Sequence, residues 1–462
     1  MKTVMKFGGT CMKDGDSIRK SSEIVKAYVN QGVRVVAVVS AMAGVTDELL
    51  NVLKAAERGE EGEIGEFIEE LRRRHLEACE KAIHSQSIRD EVRRANEAEI
   101  NEVKRLLSVL AYLKEVTPRT KDYTLSFGER LSTRIFWGAL RDQAVEAEYL
   151  RGWEAGIITD DNFGSARPLS TVTYKEVDRR LSPLLEKGVV PVVTGFIGAT
   201  PKGVVTTLGR GGSDYSATIL GAALKVDEII LWKDVNGIMT ADPKLIPDAK
   251  TVSSMSYDEV VELAYFGAEV VHPLALEPAA KENIPIRVKN LFNPSAEGTL
   301  ISGDVSGDTV KALTTIKDVA IILARGAGIL EPPAASIKLL ELLNEMGIQI
   351  IMVSQASSQA SISIAIPESA LEKALRTIRK RLAEDELQLD YERGICVIAV
   401  IGSGMRGKPG VAAKIFNAVA SEGINIKMIA QGSSELNISF AVREEDGVKA
   451  LKAIHKAFEL NA

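Results

Sequence analysis

Residues 206–217 read TTLGRGGSDYSA: a short run of β character, glycines at 209, 211 and 212 around Arg210, then Ser213 and Asp214 opening a helical run. Strand, glycine turn and helix in that order form the unit from which parallel α/β sheets are built. Glycines without Cβ let backbone N–H groups approach an anion, and a helix start adds partial positive charge. Around this stretch, TVMKF (3–7), VRVVAVVS (33–40), VVPVVTGFIG (189–198) and DEIILW (227–232) are short β-rich runs ending at Gly, Ser or Lys-Asp, with helical spacing between them. The fold expected is α/β, a mostly parallel sheet sandwiched by helices. A second glycine pair, in KFGGT (6–10), ends the first run. Two such loops at the ends of two strands can flank a triphosphate and its acceptor. Lys6 and Asp214 supply the charges that phosphoryl transfer requires beside them.

The bulk numbers narrow the class. A chain of 462 residues exceeds the size of a single hydrophobic core, so two to four domains are expected. Its 45% apolar and 26% charged residues are those of a globular protein. A net charge of −6 offers no basic field for nucleic acid, which is not expected as a partner. Cys11, Cys79 and Cys396 are too few and too widely spaced for a disulfide framework or a zinc site, which implies a reducing cytoplasm. Apolar stretches such as VVAVVSAMAGV (35–45) are too short to span a bilayer, so neither membrane insertion nor export is expected. Between about 50 and 114 the pattern is charged and helical, and His75 and Cys79 fall on its packed face rather than forming a metal pair.

The last third repeats itself. The 41 residues from Gly326 align without gaps on those from Gly402, with 14 identical. Each copy reads strand, glycine loop, helix, strand, turn, strand, helix, but only the first has room for a closing strand, LQLDYE (387–392). The β-like run VKALTTI (310–316) is expected to complete the second copy, so that the two modules interleave. Gly402, Gly404 and Gly407 spell GxGxxG, and Gly402 to Lys408 nearly spells a P-loop. Pro409 stands where the magnesium-binding hydroxyl belongs, and too little chain follows for a dinucleotide domain, so no nucleotide is expected there.

KFGGT, VVSAMAGVTDELL (38–50), LSFGERLS (125–132), VVTGFIG with TTLGRGGSD, WKDVNGIMTADPK (232–244), YFGAEVVHP (265–273) and IPIRVKN (284–290) together resemble, in order and spacing, the aspartate kinases of the amino-acid kinase superfamily. That resemblance covers nearly the whole chain, since the family also ends in two ACT modules, which MIAQGSSELNISF (428–440) is similar to. It implies a catalytic domain over 1–302, a first ACT module over 317–392, and a second over 310–316 plus 393–462. It also implies phosphorylation of the side-chain carboxylate of L-aspartate by ATP with Mg²⁺, the first step toward lysine, threonine, methionine and isoleucine, under feedback control.

By the matching motifs, Lys6 and Asp214 are expected to be catalytic. Thr46, Glu129, Arg210 and Ser213 bind aspartate, with Glu129 accepting the α-amino group. Lys6, Phe7, Gly8, Gly9, Thr10, Lys233, Asp234, Met239, Lys244 and position 269 meet ATP, and no residue set is expected to hold a metal by itself. Gln355 and Gln431 stand at equivalent places for a lysine or threonine effector, in a homodimer or larger assembly. Two departures stand out. Cys11 follows KFGGT where the family often has serine; a small buried thiol is expected to be tolerated there, with inhibition only if it were oxidised. Glu269 takes the place of a frequent phosphate-reaching lysine, a role Lys233 or Lys289 is expected to fill. The alternatives are another carboxylate kinase, acting on glutamate or N-acetylglutamate, and a catalytically degenerate amino-acid sensor.

Overall fold

A computed structural model describes residues 1–267, 271–303, 305, 308–325, 332–355, 361–382 and 388–461, with the side chains of 332–335 excepted. Two compact units divide the chain: Met1–Ile238 with Val270–Gly303, and Met239–Glu269 with Asp304–Ala462. The motifs read as one catalytic domain over 1–302 are therefore shared between units. Glu269 lies outside the described residues.

In the first unit the sheet strands lie in the order Ala147–Leu150, Val190–Thr194, Arg34–Val39, Lys2–Phe7, Glu228–Lys233, Ile286–Asn290 and Thr299–Ser302. All neighbouring pairs are parallel except the last. Lys2–Phe7 and Arg34–Val39 are buried over nearly their whole length, as apolar strands covered on both faces must be. The register sets Phe7 beside both Val39 and Trp232, so the strands end level. The loops after Phe7, Val39 and Lys233 therefore emerge at one carboxyl edge, where open α/β sheets bind ligands. Helices Val45–Arg58, Glu61–Ala82, Gln86–Leu113 and Pro118–Asp142 form the charged layer read from the sequence. Leu49, Ile68, Leu71, Val92, Phe127 and Phe136 pack it onto the sheet. His75 and Cys79 are buried in this layer. Burial pushes the His75 imidazole down to about 4, against the bond its Nδ1 makes with the Leu71 carbonyl at 2.8 Å.

The second unit is built on an antiparallel sheet in the order Met352–Gln355, Ser361–Pro367, Ala312–Arg325, Gln388–Ile401, Asn437–Arg443, Met428–Gln431. The two central strands are long and pair with each other along both halves. Ala312–Ile316 lies against Val397–Ile401, while Val319–Arg325 also pairs with Ser361–Pro367. A register shift between Ile316 and Val319, with Asp318 at φ 54° and Gly394 at φ 63°, marks where each strand passes from one half to the other. The loop after Ile401 has a plain reason for its glycines. A Cβ on Gly402 would lie 2.4 Å from the Thr309 carbonyl oxygen and one on Gly404 2.6 Å from that of Asp308, so the backbone of the preceding segment fills the space.

Candidate active site

At the carboxyl edge of the parallel strands the first unit holds a cavity of about 520 Å³. Lys6, Gly9, Thr46, Glu129, Arg210, Ser213 and Asp214, expected from widely separated motifs, all line it. Lys6 is the penultimate residue of its strand and Asp214 stands in the first turn of the helix Gly212–Leu224. Lys6 Nζ meets Asp214 Oδ1 at 2.6 Å, and Lys233 Nζ meets Oδ2 at 3.1 Å. Burial alone would push the Asp214 carboxyl up, but Lys233 and Lys6 together hold it down at about 2. It is therefore an anion that spaces two ammonium groups, which then face any phosphoryl group as a paired positive site.

Glu129 behaves in the opposite way. It sits on the helix Pro118–Asp142, whose start is closed by a reciprocal Thr117–Thr120 cap with Pro118 in the first turn. Ser132 Oγ on the same helix donates to the Ser40 carbonyl at 2.7 Å, tying it to the segment that leads into the helix Val45–Arg58, which carries Thr46. Glu129 Oε1 accepts from the Ala41 N–H at 3.2 Å, but Oε2 is buried with no hydrogen-bond partner among the described residues. Burial raises the carboxyl to about 8, against the lowering pull of that N–H and of Lys6. A buried acceptor left open in a cavity wall is the natural counterpart of a cationic donor such as an ammonium group.

The two glycine loops differ in why they carry glycine. Gly211 has φ 71°, and a Cβ there would lie 2.4 Å from that of His272. A Cβ at Gly8 would come no nearer than 3.5 Å to Lys6 Nζ or the Trp232 carbonyl, and at Gly9 no nearer than 3.6 Å to the Ala41 carbonyl. Those are ordinary contacts, so nothing in the protein itself requires glycine at either position. Thr10 and Asp234 are exposed, while the ring of Phe7 is buried between Phe136 and Trp232, leaving only its backbone for a ligand. Lys289 stands over the Trp232 ring at 5.5 Å. Met239 and Lys244 belong to the second unit, where Lys244 is exposed.

Sequence reasoning missed two residues of this cavity's surroundings. Lys121 lines it, one and two helical turns before Leu125 and Glu129, which also line it; that i, i+4, i+8 stripe was a usable signal. Asp122 is wholly buried and accepts from Gly164 N–H at 2.9 Å, Thr207 N–H at 2.8 Å and Thr207 Oγ1 at 2.9 Å, bracing two lining segments. Only tertiary contacts reveal it. In the second unit, Gln355 and Gln431 are exposed at matching places on the two edge strands, which approach one another. Gln355 Nε2 lies 3.4 Å from Ser336 Oγ.

Residues 1–290 match the amino acid kinase family, and residues 322–382 and 398–458 each match an ACT domain. Aspartokinase 2, chloroplastic, of Arabidopsis thaliana is 35% identical over 473 residues, covering 98% of this chain and 84% of that protein. The chain belongs to the aspartokinases. E. coli aspartokinase III superposes with a TM-score of 0.80 at 30% identity in its complex with aspartate and ADP, described as the R-state, covering 99% of this chain and 100% of that one. In its complex with lysine and aspartate, described as the T-state, the score is 0.82 at 29% identity, covering 99% of each. The bifunctional aspartokinase/homoserine dehydrogenase 1 of Zea mays is 32% identical over all of this chain, which spans about half, 51%, of that protein's length. The aspartokinase assignment accounts for both the glycine loops and the repeated C-terminal modules. Among the described residues no helix is long and apolar enough to cross a membrane.

Proposed function

We propose that this chain transfers the γ-phosphoryl group of ATP to the side-chain carboxylate of L-aspartate, giving 4-phospho-L-aspartate and ADP. The observation that carries the reading is the pairing, in one cavity, of an open buried acceptor on Glu129 with the Lys6–Asp214 ion pair, whose carboxylate also binds Lys233. Glu129 takes the α-ammonium, Arg210 clamps a carboxylate with Thr46 and Ser213 beside it, and the free side-chain carboxylate is turned toward the lysines. Its oxygen attacks the γ-phosphorus, the bond from that phosphorus to the β,γ-bridging oxygen breaks, and the electron pair leaves on ADP. Lys6 and Lys233 stabilise the charge that develops on the transferred group, an effect for which losing one donor costs roughly 10²–10³-fold in kcat.

Gly8 and Gly9 admit the triphosphate to the backbone, with Phe7, Thr10, Asp234, Met239 and Lys244 as further nucleotide contacts. Mg²⁺ would enter with the phosphate oxygens of ATP. It would neutralise phosphate charge when bound. A relative crystallised with lysine favours lysine over threonine as the effector, at Gln355 and Gln431. Two interleaved modules, 317–392 and 310–316 with 393–462, suit the strand pairing of the second unit, and a homodimer or larger assembly suits their edge strands. Three free, buried thiols suit a reducing compartment, read here as the cytoplasm.

The test is ADP release from Mg·ATP with L-aspartate, L-glutamate or N-acetyl-L-glutamate. Turnover with aspartate alone is expected, lost on acylation of the amino group because Glu129 then faces no ammonium. Preference for N-acetylglutamate would sink the reading.

A further inference from the structure

The consecutive helices Glu61–Ala82 and Gln86–Leu113 of the first unit border another cavity, of about 640 Å³, which shares no lining residue with the one that holds Lys6 and Glu129. Arg72, His75, Leu76 and Cys79 line it from the first helix at i, i+3, i+4 and i+7, the spacing of one helical face. A seam between two helices is ordinarily closed by apolar side chains. Here it stays open around two buried polar groups and a rim of charge.

His75 is 2% exposed, and its Nδ1 lies 2.8 Å from the Leu71 carbonyl oxygen. A carbonyl only accepts, so the imidazole proton sits on Nδ1, and Nε2 is a bare acceptor with no hydrogen-bond partner among the described residues. With its imidazole held at about 4 by burial, the ring is uncharged at neutral pH. Asn96 is 5% exposed, and its Nδ2 donates to the carbonyl of Leu131 at 3.3 Å, on the helix that carries Glu129. That bond fixes the amide and leaves Oδ1 likewise without a partner among the described residues. A buried acceptor without a donor is costly enough that native proteins rarely leave one, and two border this cavity. An occupant that donates N–H or O–H bonds would satisfy them.

The rim sets the rest of the ligand. Arg72, Arg93 and Arg94 line it against two carboxylates, Asp90 and Glu97. Glu97 is taken by Arg72 Nε at 3.1 and 3.2 Å and by Asn101 Nδ2 at 3.2 Å. Asp90 reaches Arg93 only at 3.9 Å, and Arg94 uses its Nε on the Asp90 backbone carbonyl at 3.2 Å. Both arginines are exposed, so their guanidinium forks face an anion at the mouth. A surplus of one positive charge suits a monoanion such as a carboxylate better than a doubly charged phosphate. Leu76 and Ile100 supply apolar walls, and Cys79, its thiol pushed up to about 12 by burial, extends them as an unreactive sulfur. The volume admits a body as large as a fused pair of rings.

We propose that this cavity is a binding site, separate from the catalytic one, for a small carboxylate whose apolar body carries an N–H or O–H donor. The carboxylate pairs with Arg93 and Arg94, the body lies against Leu76 and Ile100, and the donor reaches the open acceptors of His75 and Asn96.

The probe is indole-3-acetate, which has a carboxylate, a fused-ring body and one N–H. It is set beside 1-naphthaleneacetate, which lacks the N–H, and 3-methylindole, which lacks the carboxylate. Calorimetric titration of the full chain at pH 7 should show saturable binding of indole-3-acetate, with 1-naphthaleneacetate weaker by about three- to tenfold, the worth of one hydrogen bond. His75→Leu should weaken only indole-3-acetate and so narrow that gap. Arg93→Ala combined with Arg94→Ala, at two exposed positions, should weaken both acids by about tenfold or more, leaving 3-methylindole and the Tm unchanged. If His75→Leu does not fold, the two acids compared on the unaltered chain test the acceptors equally. The proposal is overturned by equal affinity for the two acids there, or by binding of indole-3-acetate that survives the double arginine variant. It is overturned as well if indole-3-acetate shows no saturable binding at millimolar concentration, which would mean a cavity that holds water alone.

Discussion

The loops at Gly8–Gly9 and at Gly402–Gly404 look alike in the sequence and are opposites in space. In the second, protein backbone stands 2.4 and 2.6 Å from where a Cβ would be. In the first, the nearest protein atoms are at ordinary contact distance, and the glycines open toward the carboxyl edge of a parallel sheet. A glycine pattern records that something comes close to the backbone, without saying whether that is a ligand or another part of the chain. The neighbours of the missing side chain decide it.

The largest effect expected from this contrast lies at Gly9, which lines the cavity. Gly9→Ala should raise KM for ATP roughly 10- to 100-fold, one to two decades of binding, while leaving Tm nearly unchanged because the added methyl meets only open contacts. Gly404→Ala should instead cost about 1–3 kcal/mol of stability by overpacking, read as a fall in the Tm of the full chain. The comparison breaks if Gly404→Ala weakens ATP binding at unchanged Tm, since that loop would then face a nucleotide after all.

A second contrast lies within the cavity, between two buried carboxyls. Asp214, held at about 2 by Lys233 and Lys6 despite its burial, is charged at every working pH, whereas Glu129 is raised to about 8 by burial and is neutral in the empty site at pH 7. Binding an ammonium requires the Glu129 carboxylate, so a proton must leave when substrate enters. KM for L-aspartate should therefore fall as pH rises, approaching about tenfold per unit below the Glu129 pKa and levelling above it. Glu129→Gln should raise KM and flatten the profile. A flat profile in the unaltered enzyme, or uptake rather than release of a proton on binding, would leave Glu129 without its assigned partner.

What could be read without coordinates follows the same division. The parallel sheet was legible because buried strands such as RVVAVV are apolar throughout, and the C-terminal modules because they repeat. The cavity's main charges were legible because Lys6, Glu129, Arg210 and Asp214 sit in motifs whose local form is distinctive. Asp122 was not, since a lone aspartate in a helix carries no sign that its partners are Gly164 and Thr207. The transfer of Met239–Gly267 to the second unit was hidden for a similar reason. Its fastening depends on Lys311, Ser403 and Asn437, each unremarkable in its own stretch of sequence.

The smallest effect sharpens the first comparison. Cys11 follows the Gly8–Gly9 loop, where a small buried thiol was expected to be tolerated, and its thiol is wholly buried and donates to the Trp232 carbonyl at 3.3 Å. Burial pushes it up to about 11, against the pull of Lys6. At pH 8 only about one molecule in a thousand would carry the reactive thiolate, and the buried sulfur is closed to reagent as well. A thiol-specific reagent should therefore leave the folded protein's Cys11 unlabelled and its activity intact, and Cys11→Ser should change KM for ATP less than about threefold, a loss under 1 kcal/mol. Rapid labelling at Cys11, slowed by ATP, would mean instead that the loop opens and that its glycines serve its own motion as well as the approach of a ligand.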